Sequence, residues 1–70
     1  MSLAATIILN GTPHPIDGTT TLVSLLESLG LAGQPVVIEL NAQAVFPRDY
    51  ARTLVEAGAK VEIVTLAAGG

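Results

Sequence analysis

The chain has 70 residues, half of them apolar, 13% charged, a net charge of −3 and no cysteine. That length holds one small domain, and the apolar fraction is too high for an intrinsically disordered chain. The longest unbroken apolar runs, such as Ile7-Ile8-Leu9, are three residues, far short of the ~20 that cross a bilayer.

The first elements read clearly. Thr6–Asn10 is rich in strand formers and ends in Asn10-Gly11, a strong hairpin signal. Thr12–Ile16 is the returning strand, and Pro13 and Pro15 place it at a sheet edge because neither can donate to a ladder. Asp17-Gly18 opens a loop, and Thr19-Thr20-Thr21 supplies candidate N-caps. Leu22, Leu25, Leu26 and Leu29 then repeat at i, i+3, i+4 and i+7, one face of a helix. Gly30 and Leu31 fit its C-terminal stop.

Val36, Ile38 and Leu40 alternate with Val37, Glu39 and Asn41 in a strand bounded by Gly33 and Pro35. A turn at Asn41-Ala42 leads to a short strand, Gln43–Val45. Pro47 starts a helical turn through Arg48-Asp49-Tyr50-Ala51, and Glu56–Ala59 forms a turn after Leu54-Val55. Lys60–Leu66 is the last strand, with Val61, Ile63 and Thr65 on one side and Glu62, Val64 and Leu66 on the other. Four or five strands with one main helix imply an α+β fold, a mixed sheet curled over that helix. The helix stripe with Ile7, Leu9, Ile16, Val36, Ile38, Leu40, Val61 and Ile63 is the expected core.

Catalytic chemistry is not visible in this body. Ser24, His14 and Asp17 lack any supporting motif for a triad, and His14 between two prolines reads as an exposed edge residue. The six carboxylates form no close pair for acid–base work, and one histidine with no cysteine cannot build a structural zinc site. The glycines make no phosphate cradle. Three cations, Arg48, Arg52 and Lys60, against a net charge of −3 argue against nucleic acid as a partner. No signal-peptide pattern opens the chain, and a cytoplasmic location is expected.

Two features ask for a function. Mean hydropathy of +0.62 is high for so small a domain, which buries only about 60% of its unfolded surface, so some apolar residues must face outward. The chain also closes on Ala67-Ala68-Gly69-Gly70 directly after a strand. A terminal Gly-Gly arises by chance in roughly one sequence in 200. It offers a carboxylate with no Cβ on either of two residues, able to enter a narrow channel. Leu66 to Gly70, extended, reaches about 17 Å.

Asn10-Gly11 after the first strand, Leu29-Gly30-Leu31 closing the helix, and Val37-Ile38-Glu39-Leu40-Asn41 share a layout with a known family. So do Pro47-Arg48 with Tyr50-Ala51, Val61-Glu62-Ile63-Val64 and the closing Ala67-Ala68-Gly69-Gly70. Together they resemble the ThiS family of sulfur carrier proteins, over nearly the whole chain. Phe46 precedes Pro47 where the family reads Val-Pro-Arg, and Gly58-Ala59 stands where Gly-Asp is usual.

The resemblance implies a ubiquitin-like β-grasp domain over residues 1–66 and a flexible tail over 67–70. It implies a carrier that is not an enzyme and binds no cofactor or metal of its own. An E1-like, ThiF-type adenylyltransferase uses ATP and Mg to activate the Gly70 carboxylate. Sulfur from a cysteine desulfurase system, relayed through a partner cysteine, then leaves a thiocarboxylate. A ThiG-type thiazole synthase consumes it in thiamine biosynthesis. Gly69, Ala68 and Ala67 enter the partner's active site, and Ile8, Val64 and Leu66 contribute a docking patch. The alternatives are a MoaD-like or other-pathway sulfur carrier, a ubiquitin-like protein modifier, and an interaction module whose tail has no chemistry.

Overall fold

The computed structural model describes residues 4–66. The elements follow as β1 (Ala4–Leu9), β2 (Thr12–Asp17), β3 (Thr20–Thr21), α1 (Leu22–Ser28), β4 (Val36–Leu40), β5 (Gln43–Val45), a 3₁₀ helix (Pro47–Arg52), β6 (Leu54–Val55) and β7 (Lys60–Thr65). A five-stranded mixed sheet of order β2-β1-β7-β4-β5 packs on α1, and β3 and β6 form a separate two-stranded ribbon. The expected mixed sheet and single main helix are both present.

Local chemistry sets the connections. Asn10 (φ 51°) and Gly11 (φ 81°) make the two-residue loop between Leu9 and Thr12, with both residues in the left-handed region that this hairpin turn demands. β2 is an edge strand, as its prolines require. The Thr21 hydroxyl accepts from the Ser24 amide at 3.1 Å, capping α1. At the other end Leu31 N–H donates to the Leu26 carbonyl at 2.8 Å and Gly30 N–H to Glu27 at 3.1 Å. This is the paired bonding of a Schellman stop, and Leu26 and Leu31 both pack on the core.

The β4–β5 hairpin uses the same turn with a less suitable residue. Asn41 (φ 51°) and Ala42 (φ 69°) fill its loop. Left-handed backbone costs a residue with a Cβ roughly 1–2 kcal/mol, which glycine avoids at some entropic loss. Ala42→Gly is therefore expected to stabilise the domain by about 0.5–1 kcal/mol. Thermal unfolding checks this, as a rise of about 4 °C.

The core joins Ile7, Ile16, Leu22, Leu25, Leu26, Ile38, Val61 and Ile63 with Tyr50, Val55 and Ala59. Leu9, Leu29, Val36 and Leu40 pack at its margin, half-buried. The last three fully packed members were not in the expected set. Tyr50 comes from the 3₁₀ turn, and Val55 from a two-residue strand paired to Thr20. His14 is half-buried and not exposed, because the β2 register sets it opposite Ile7 on the helix-facing side.

Candidate functional site

β7 is the element that carries the chain toward its Gly-Gly. It lies in the middle of the sheet, parallel to β1 and antiparallel to β4. Three attachments hold it. At its start, Asn41 Oδ1 accepts from Lys60 N–H at 2.9 Å while Asn41 N–H donates to the Lys60 carbonyl at 2.8 Å. In its middle, the Asn10 side chain accepts from Ile63 N–H at 2.8 Å and donates to the Ile63 carbonyl at 3.1 Å. β1 ends at Leu9, so the Asn10 amide replaces the backbone that a longer β1 would have supplied. At the far end Leu66 N–H donates to the Pro35 carbonyl at 2.9 Å. The strand therefore delivers the chain at Leu66 in a defined direction.

Ala67, Ala68, Gly69 and Gly70 lie outside the described residues. Of the expected docking residues, Val64 stands on the outer face, 58% exposed. Ile8 shares that face but is half-buried, opposite Lys60 and Pro13. Val64 lies four positions further along β7 than that register partner, about 13 Å. Leu66 is half-exposed just beyond the end of β7 and borders an apolar groove with Leu26, Val36, Pro47 and Tyr50. The three residues thus occupy separate stations along the chain's path, with Val64 and Leu66 nearer the tail.

The sheet register adds residues that alternation alone does not bring together. Val37 lies directly across from Val64. Phe46 follows directly on β5 with extended backbone, one residue past Val45, whose register partner is Ile38. Val37, Phe46 and Val64 are each about half exposed, so an apolar row of Val37 and Val64 crosses two strands, with Phe46 just past the end of β5. The Arg48 guanidinium sits 5.3 Å from the centre of the Phe46 ring, within cation–π range. Arg52 is tied to Asp49, its Nε 2.9 Å from Oδ1.

The groove at the root of the tail has a volume of about 490 Å³. Tyr50 in its wall keeps a buried hydroxyl with no hydrogen-bond partner among the described residues, and burial pushes this phenol above its ordinary value. Among the described residues no three metal-ligating side chains come together, and no helix is long and apolar enough to cross a membrane. Ser24 is engaged with Thr21 at the helix cap, its Oγ accepting at 3.2 Å.

A small mixed sheet wrapped on one helix, with its last strand at the centre, defines a ubiquitin-like β-grasp domain. A family model, the ThiS family, matches residues 7–70, and the chain belongs to that family. The crystal structure of a thiamine biosynthesis protein (ThiS) from Geobacter metallireducens superposes with a TM-score of 0.79 at 29% identity. The match covers 93% of this chain and 99% of that one. A solution structure of a thiamine biosynthesis protein from the same organism gives 0.77 at 29% identity, over 93% of this chain and 87% of that one. A thiazole synthase of Magnetococcus marinus is 36% identical over 64 residues, which are 91% of this chain. The chain spans only 20% of that relative's length.

Proposed function

We propose that this protein is a cytoplasmic sulfur carrier for thiazole formation in thiamine biosynthesis, holding sulfur as a thiocarboxylate on Gly70. The observation that carries the reading is the family match, which extends through Gly70 itself. A centrally held β7, followed in sequence by Leu66 and Ala67-Ala68-Gly69-Gly70, supports it physically. The carrier supplies one carboxylate and a surface to dock by. The ATP and Mg site belongs to an E1-like adenylyltransferase of the ThiF type, which joins the Gly70 carboxylate to AMP. The outer sulfur of a persulfide on a partner cysteine, charged by a cysteine desulfurase, attacks the acyl-adenylate and displaces AMP. A second thiol then cleaves the resulting acyl disulfide, becoming a disulfide itself and leaving the thiocarboxylate. A ThiG-type thiazole synthase receives the sulfur, and the thiazole synthase relative that contains a region similar to this chain supports that pairing.

In this reading Ala67, Ala68 and Gly69 thread the partner's active site, and Ile8, Val64 and Leu66 contribute to docking on the activating enzyme. Val64→Lys is expected to raise the KM for activation about tenfold, since a central apolar contact is lost on desolvation of a charge. Melting should move little, because the side chain is 58% exposed. Steady-state kinetics at varied carrier concentration make the check, and an unchanged KM removes Val64 from the interface.

Intact-mass measurement of the carrier after incubation with its activating enzyme, ATP and a sulfur donor tests the whole proposal. The expected product has one terminal oxygen replaced by sulfur. Conjugates to other proteins would instead establish a modifier, and an unaltered mass with a competent enzyme would overturn both.

A further inference from the structure

The register of the outer face continues beyond the apolar row. Two residues along from Phe46, Val37 and Val64 comes a second row of Ala44, Glu39 and Glu62. Glu39 and Glu62 are direct cross-strand partners, both exposed. Like charges placed opposite each other on neighbouring strands destabilise a sheet. Among the described residues neither carboxylate makes an ion pair, the salt bridges all ending on Asp49. Lys60, next on the same face of β7, pairs in register with Ile8 and makes no bridge to Glu62. Among the described residues two carboxylates therefore stand without an ion-pair partner beside the exposed side chains of Val37 and Val64.

We infer that this face is a charge-selective docking surface, receiving an apolar protein surface that carries at least one Lys or Arg opposite Glu39 and Glu62. The inference rests on the carrier reading, and the occupant is the ATP-using activating enzyme. The chemistry of that step argues for a basic partner. A carrier of net charge −3 must bring a further anion, its own carboxylate, against the phosphates of ATP. That approach is repulsive unless the enzyme presents cations, and a positive enzyme surface draws a negative carrier in by long-range attraction. The two carboxylates supply the matching charge on the carrier side. Arg48 at the Phe46 end of the apolar row supplies the opposite sign, so the strip is polar along its length and fixes one orientation of docking.

The test uses the full chain and the ThiF-type adenylyltransferase of the same source, with association followed by stopped flow at low and high salt. Glu39→Gln with Glu62→Gln removes both charges and keeps shape. Association at low salt is expected to slow about tenfold and to lose most of its salt dependence. The melting temperature should hold or rise, because a repulsion is removed. An unchanged association rate in the double variant, with the wild type still adenylated, overturns the charge selection and leaves the carrier reading standing. A slower rate accompanied by a lowered melting temperature also overturns it, since the pair would then act through the fold. A wild-type chain that the enzyme neither binds nor adenylates overturns both.

Discussion

Deleting Gly70 is expected to abolish activation by the adenylyltransferase, by at least 10²-fold in ATP–pyrophosphate exchange, with melting unchanged. The deletion leaves a carboxylate, but one withdrawn by a residue, about 3.5 Å. Nucleophilic attack on the α-phosphate requires the reacting atoms in near-attack geometry, where an error of about 1 Å can cost 10²-fold. Among the described residues every buried core side chain lies between Ile7 and Ile63, which is why melting is expected to hold. Gly69→Val provides a second measurement, since it keeps the length and adds a β-branched side chain where the proposed channel admits none. It should impair activation through KM and kcat together. A deletion variant activated at the wild-type rate would show that the Gly70 carboxylate is not the reacting group, and the carrier reading would fall with it.

Much of the scaffold that presents this tail is legible from local chemistry. Asn10-Gly11 specifies its turn by the backbone angles that those residues tolerate, and the leucine stripe with Gly30 specifies a helix and its stop. The alternation assigns two faces correctly over Val36–Leu40, because β4 pairs on both sides, and it stops at Asn41, which turns into the hairpin loop. The parts that escape such reading are those decided by pairing. Tyr50, Val55 and Ala59 enter the core from segments too short to show a period. Leu66 follows the strand alternation in sequence, yet β7 ends at Thr65 and Leu66 borders the groove beside Tyr50. The row of Val37 and Val64 comes from two strands in register, with Phe46 just past the end of a third, and no spacing in the chain announces it. Ile8 illustrates the same point from the other side. Its outward parity is correct, while its distance from Val64 depends on where β1 meets β7.

Asn10→Ala is expected to cost about 2–3 kcal/mol. Two contributions add. The Asn10 amide both accepts from and donates to Ile63, and each such bond is worth about 1 kcal/mol net. The residue also holds φ at 51°, a conformation that asparagine tolerates and alanine resists. A domain of 70 residues has a total stability of about 3.5–10 kcal/mol, so the substitution removes a large share, and melting should fall by roughly 10–20 °C. Asn10→Gly separates the two causes, because it loses the bonds but keeps the backbone freedom, and should fall between the other two proteins. Amide exchange at Ile63 should quicken in both variants, since the group that covers it is gone. Were Asn10→Ala to melt with the wild type, the side-chain clamp would not be holding β7. The clamp matters beyond stability because Val64 follows Ile63 directly. A strand released there would loosen the apolar row and the root of the tail together, and the activating enzyme would meet a less ordered surface.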